Sequence, residues 1–114
     1  MDMEIKEIRL EIYVPEEFVE RIRDALADVG ACKIGEYSHV VSYQNTKGYW
    51  KPLEGSSPYN GEKGKICSGS EVKMEVRCPL ENVKQALYTI KEIHPYEKPV
   101  INIIPLLNGV LPFA

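Results

Sequence analysis

The stretch His94-Pro95-Tyr96-Glu97-Lys98-Pro99 places an imidazole, a phenol and a carboxylate within four residues. Together with His39, the only other histidine, it offers the donors of a metal site. His39, His94 and Glu97 are borderline-to-hard ligands of the kind that suit zinc, copper or nickel. No His-x-Glu or His-x3-His spacing ties them together locally, so a site would have to be assembled by the fold. A purely structural role competes with this reading. His94 would then cap the negative end of a helix, where a positive charge is favoured by roughly 0.3–1 kcal/mol. Glu97 would answer Lys98 or a backbone donor. An acid–base pair, with His94 as the base and Glu97 as its orienter, is the third chemistry. It has no nameable nucleophile or oxyanion donors beside it.

Aromatic residues gather in the same regions. Tyr37, Trp50 and Tyr96 are the candidate lining of a small-ligand pocket, and Tyr43, Tyr49 and Tyr59 accompany them. Packing at a subunit interface is the alternative, because tyrosine and tryptophan are enriched there. Cys67 follows a lysine at Lys65, which would lower its pKa and make it reactive if the two approach. Gly48, Gly55, Gly61 and Gly64 do not form a phosphate loop: the Gly-Lys-Ser/Thr ending before a helix is absent.

The elements that must position these residues are legible as periodicity. Ile8, Leu10, Ile12 and Val14 alternate with Glu7, Arg9 and Glu11, which predicts a strand with one buried face. Pro15 with Glu16 and Glu17 then starts a helix carrying Phe18, Ile22, Ala25, Leu26 and Val29 on one face, and Gly30 stops it. A second extended run is predicted over 31–44, with Tyr37, His39, Val41 and Tyr43 sharing a face. Residues 45–65 break the pattern with four glycines, Pro52 and Pro58, and read as a long functional or mobile loop. Alternation returns over 70–78, with Val72, Met74, Val76 and Cys78 inward. Pro79 opens a second helix whose apolar face is Leu80, Val83, Ala86, Leu87, Ile90 and Ile93. Proline limits that helix to about His94, and a last strand is predicted over 100–106. The tail 107–114 is apolar and is expected to pack on its own subunit or a neighbour.

Strand, helix, strand, strand, helix, strand is the order of a ferredoxin-like α+β domain, a βαββαβ fold with two helices on one face of a four-stranded antiparallel sheet. Residues 1–114 are expected to form one such domain. The first and third strands lie centrally, so Glu7, Arg9 and Glu11 are expected to pair with Lys73, Glu75 and Arg77 across the sheet. The 45–65 loop and the 94–99 corner fall at the same pole. His39 falls on the second strand just below it, at the opposite sheet edge from His94. Association of one subunit's second strand with another's fourth would bring the histidines closer and cover exposed edges. A symmetric homo-oligomer, preferably a trimer, follows.

Composition sets the remaining bounds. The chain has 114 residues, enough for one core, with 44% hydrophobic and 27% charged residues. A net charge of −3 argues against nucleic acid as a partner. Three cysteines without paired or zinc-type spacing fit a reducing compartment. No run is long enough for a membrane span, and the acidic start Met1-Asp2-Met3-Glu4 is unlike a signal peptide. The expected location is the cytoplasm.

Three segments, in order, carry a family resemblance. They are Gly30-Ala31 with Gly35-Glu36-Tyr37-Ser38-His39, then 48–58 (Gly-Tyr-Trp-Lys-Pro-Leu-Glu-Gly-Ser-Ser-Pro), then His94 to Pro99. Together they resemble the YqfO-type domain of the Nif-three-like proteins, whose fold is similar to that of the CutA divalent-cation-tolerance and PII signalling proteins. The resemblance implies a trimer and a non-enzymatic binding or regulatory role, with a divalent metal or small ligand near a subunit interface. It implies, as an alternative, a protein-interaction module that docks a partner through the 45–65 loop. The two-metal centre of the full-length relatives belongs to a flanking domain outside this sequence. Lys98 stands where the family commonly has a second glutamate, which removes one carboxylate from the corner.

Overall fold

The computed structural model describes residues 4–111. Strand β1 (Glu7–Val14) leads through a 3-10 turn to helix α1 (Val19–Asp28), and β2 (Ser42–Trp50) is followed by β3 (Cys67–Pro79). A second 3-10 turn opens helix α2 (Val83–Ile93), and β4 (Val100–Leu106) completes the sheet. The sheet is antiparallel with the order β2-β3-β1-β4, so β1 and β3 are central and β2 and β4 are its edges. This is the ferredoxin-like α+β arrangement that the periodicity predicts.

The core is the layer between sheet and helices. Ile8, Leu10, Ile12 and Val14 on β1 meet Val72, Met74, Val76 and Cys78 on β3, and Val19, Ile22 and Leu26 of α1 and Ala86 and Ile90 of α2 close over them. Each large aliphatic side chain buried this way contributes roughly 1.5–3 kcal/mol. Pro15 and Pro79 occupy equivalent places, each in extended geometry (ψ 140°) just ahead of a 3-10 turn. Gly30, at φ +88°, ends α1 with the left-handed turn that other residues resist.

The second strand departs from expectation at both ends. Segment 31–41 is a loop, because Cys32 (φ 62°) and His39 (φ 59°) are left-handed and interrupt any extended run. Backbone bonds close this loop from Cys32 to Arg77 (2.9 Å) and from Val40 to Cys32 (2.8 Å), with a small Ile34–Tyr37 bridge inside it. His39 and Tyr37 therefore lie on a loop, not on the strand. Conversely β2 runs on to Trp50 and pairs as far as Cys67, so 45–50 is strand and only 51–66 is irregular. Gly48 and Gly69 face each other in this extension. The Trp50 ring covers Gly69, where a Cβ would come within 3.2 Å of it, while Gly48 stands open. The β2–β3 ribbon passes the end of β1, where Val14 pairs Val72, and forms a projecting arm.

The charged face of the sheet is arranged differently from the direct pairs predicted. Arg9 sits opposite Arg77 and Glu11 opposite Glu75, like against like. Compensation is diagonal or along a strand: Arg77–Glu7 at 3.7 Å, Lys73–Glu11 at 4.0 Å, Arg9–Glu11 at 3.0 Å and Lys73–Glu75 at 3.5 Å. Of the apolar tail, Leu107–Gly109 forms a 3-10 turn whose glycine lies against Lys6, and residues 112–114 lie outside the described residues.

Candidate functional site

The corner after α2 is built by its prolines. His94 closes the helix by donating its amide to Ile90 (2.8 Å), then turns to extended geometry before Pro95 (ψ 131°). That turn drives the imidazole under the sheet end, where it is only 8% exposed. Its Nδ1 accepts the Tyr96 amide N–H at 3.2 Å. The proton is therefore on Nε2, which donates to the Tyr13 carbonyl at 2.7 Å. Desolvation lowers the pKa of this ring, outweighing the upward pull of the Tyr13 bond and the Glu71 charge. His94 is a neutral, fully engaged core histidine.

Around it the corner grips the arm and its loop. The Tyr96 hydroxyl donates to Glu71 Oε2 at 2.7 Å, and burial with the adjacent Glu71 charge pushes its phenol pKa above the ordinary range. The Tyr96 ring stacks at an angle on His94 (centroids 4.7 Å apart) and on Tyr59 of the loop (5.6 Å). Glu97 Oε1 accepts the Ser57 amide at 3.0 Å. Within the loop, Trp50 Nε1 donates to the Asn60 carbonyl (3.0 Å) and Gly64 N to the Pro52 carbonyl (2.8 Å). The loop and the corner do share one pole, joined by side-chain contacts.

His39 has a different setting. It is half-exposed, with Nδ1 against Ser38 Oγ at 2.9 Å and Nε2 3.9 Å from Asp24 Oδ1 on α1. Asp24 also accepts from Arg23 Nε at 2.8 Å, and that hydrogen bond holds its carboxyl below the usual range. Among the described residues, no group of three or more His, Cys, Asp or Glu side chains is placed to hold a metal ion. The expected set of His39, His94 and Glu97 is thus not assembled within one chain. His94 has spent both ring nitrogens on Tyr13 and Tyr96, and His39 consorts with α1. Tyr37, Trp50 and Tyr96 are likewise divided among the 32–40 loop, the arm and the corner; Tyr37 is 74% exposed. A shallow groove of about 220 Å³ opens on the arm between Lys47, Tyr49, Ser68 and Ser70, floored by Gly48 and Gly69.

Lys65 Nζ pairs with Glu62 at 3.1 Å, and the Cys67 thiol donates to the Lys65 carbonyl at 3.4 Å. Tyr59, one of the aromatic candidates, does meet the corner; sequence reasoning missed Glu71 and Ser57, which hold the corner, and Asp24 and Ser38, which hold His39. Glu71 had one signal, as an outward residue of an alternating strand. The others had none, because their partners are set by the fold.

Comparison with known proteins gives a consistent picture. The family model of the CutA1 divalent ion tolerance protein matches residues 54–114. The GTP cyclohydrolase 1 type 2 homolog of Bacillus subtilis is 38% identical over 98 residues, which is 86% of this chain and 26% of that protein. The chain spans about a quarter of the length of the curated relatives it matches. In structure, the Bacillus cereus protein related to NIF3 superposes with a TM-score of 0.78 at 29% identity, over 91% of this chain and 26% of that one. The periplasmic divalent cation tolerance protein CutA from Archaeoglobus fulgidus superposes with a TM-score of 0.66 at 24% identity, over 90% of this chain and 86% of that one, which establishes shared fold. With the family model matching more than half of its 114 residues, the chain belongs to the CutA1 divalent ion tolerance family.

Proposed function

We propose that the chain acts as a single-domain, non-enzymatic binding or regulatory module that assembles as a homo-oligomer, preferably a trimer, in the cytoplasm. Its ligand is a divalent metal ion of the zinc, copper or nickel class, held between subunits. The observation that carries this reading is the pair of sheet edges, β2 and β4, at opposite sides of one sheet and unpaired among the described residues. Such edges invite pairing with another chain. The family's divalent-ion name supports the choice of ligand. The reading requires His39 and Asp24 of one subunit to approach a neighbour's corner, where Glu97 is exposed and commits one carboxylate oxygen to Ser57. In this assembly His94 is the support of the corner and His39 and Glu97 are the ligands.

The test is calorimetric titration of the untagged protein with zinc, copper and nickel salts, run beside light scattering on a sizing column. The reading expects an oligomer and at least a tenfold loss of affinity in a His39→Ala/Glu97→Ala variant. A monomer at micromolar concentration, or an affinity unmoved by that variant, overturns it. The exposure of Tyr49 (83%) and Ile66 (76%) on the arm favours a second reading, in which the arm and its loop dock a protein partner. Shortening 51–66 would then abolish capture of that partner while leaving the oligomer intact.

A further inference from the structure

Cys32 and Cys78 are both free thiols, both fully buried, and belong to one core cluster. They come from dissimilar surroundings. Cys78 sits in central strand β3, while Cys32 opens the 31–41 loop in a left-handed conformation. The Cys32 amide donates to the Arg77 carbonyl at 2.9 Å, so Cys32 docks on β3 at the residue next to Cys78. The bonded carbonyl is covalently next to Cys78, so standard backbone dimensions keep the two cysteine Cα atoms within about 7 Å of each other. A disulfide spans roughly 4.4–6.8 Å between Cα atoms.

We propose that Cys32 and Cys78 form a disulfide under oxidising conditions, clamping the loop that carries Tyr37, Ser38 and His39 onto β3. With a small-molecule disulfide such as oxidised glutathione as oxidant, the thiolate of Cys32 attacks one of its sulfurs and releases one glutathione thiolate. The Cys78 thiolate then attacks Cys32 Sγ and releases the second. The protein loses two electrons and two protons, and the oxidant is reduced to two glutathione molecules.

Access sets the pace. Neither sulfur is exposed, so the first attack requires the loop to lift from β3. Cys32 is the sulfur that such a movement uncovers, because it rides on the loop. Burial pushes both thiols up to about 11, so few thiolates exist at neutral pH. The reaction should therefore quicken by about tenfold per pH unit between pH 7 and 9. Cys67, tethered to Lys65 on the arm, has no second thiol near it among the described residues and serves as an internal comparison.

The experiment treats the folded full chain, and a Cys67→Ser variant of it, with oxidised glutathione, then unfolds and alkylates them. The expected result is a mass lower by two hydrogens, complete loss of alkylation at Cys32 and Cys78, and a linked peptide containing both. Melting should shift upward, and reductant should reverse every change. Peptide mapping of the unaltered chain reads the same bond, so a poorly folded Cys67→Ser protein does not obscure the answer. Full alkylation of Cys32 and Cys78 after treatment, or glutathione remaining on Cys32 without transfer to Cys78, overturns the proposal.

Discussion

The two histidines occupy settings that invert each other. His94 sits on a proline-framed corner, buried, neutral and bonded through both nitrogens to Tyr13 and Tyr96. His39 sits on a loop, half-exposed and left-handed, beside Ser38 and Asp24. The first is held by the fold and in turn holds the corner, so its loss leaves partners stranded. The second is tolerated by the fold, which gains nothing evident from its conformation. A buried donor that is fully satisfied is structural, whereas an exposed imidazole at a left-handed position is stability given up, as functional sites often require.

The sharpest break of this contrast is His94→Ala. It leaves the Tyr13 carbonyl and the Tyr96 amide unpaired and opens a cavity, and should lower unfolding free energy by about 3 kcal/mol in urea titration. A loss below about 1 kcal/mol would mean that the corner is held by its prolines alone.

Acid is the next probe. Because burial lowers the His94 pKa in the folded state, the unfolded chain binds the proton more readily. The stability it contributes is present above its ordinary value of 6.5 and is lost as pH falls through the lower folded value. The slope from one such group is at most about 1.4 kcal/mol per pH unit. His94→Gln should remove this component of the acid slope and His39→Ala should leave it; the opposite pattern would exchange their roles.

Smaller effects refine the comparison. Tyr96→Phe removes the hydroxyl bond to Glu71 and should cost about 1 kcal/mol, with most of that absent in a Glu71→Gln background if the two act as a pair. At the other histidine the sign reverses. His39→Gly should stabilise by about 0.5–1 kcal/mol, because glycine accepts φ +59° without strain. A destabilised glycine variant would show that the Ser38 and Asp24 contacts outweigh the strain.

Much of the fold was legible because the decisive residues were local. Alternation over β1 and β3 follows from one buried face, and Pro15 and Pro79 mark the starts of the helical segments wherever they occur. The second strand was misread for a physical reason. Tyr37, His39, Val41 and Tyr43 alternate like a strand, but backbone dihedrals at Cys32 and His39 decide otherwise, and a sequence does not display them. The true strand runs through Gly48, a poor strand former, and pairs it with Gly69, which the Trp50 ring covers. The corner itself was visible in His94, Tyr96 and Glu97, and so was the pole it shares with the loop. What the corner does was not visible. His94 bonds to Tyr13, 81 residues away, and Tyr96 to Glu71, 25 away. No spacing rule connects residues at such separations.

The like-on-like charges of β1 and β3 bear on how the chain finds its register. Sliding β3 by two residues would keep every side chain on its own face and set Glu7 against Arg77, Arg9 against Glu75 and Glu11 against Lys73, each a match of opposite sign. Surface electrostatics therefore favour a displaced alignment, and the apolar layer selects the native one. Salt should weaken that rival more than the native sheet, so refolding should run faster, not slower, as ionic strength rises.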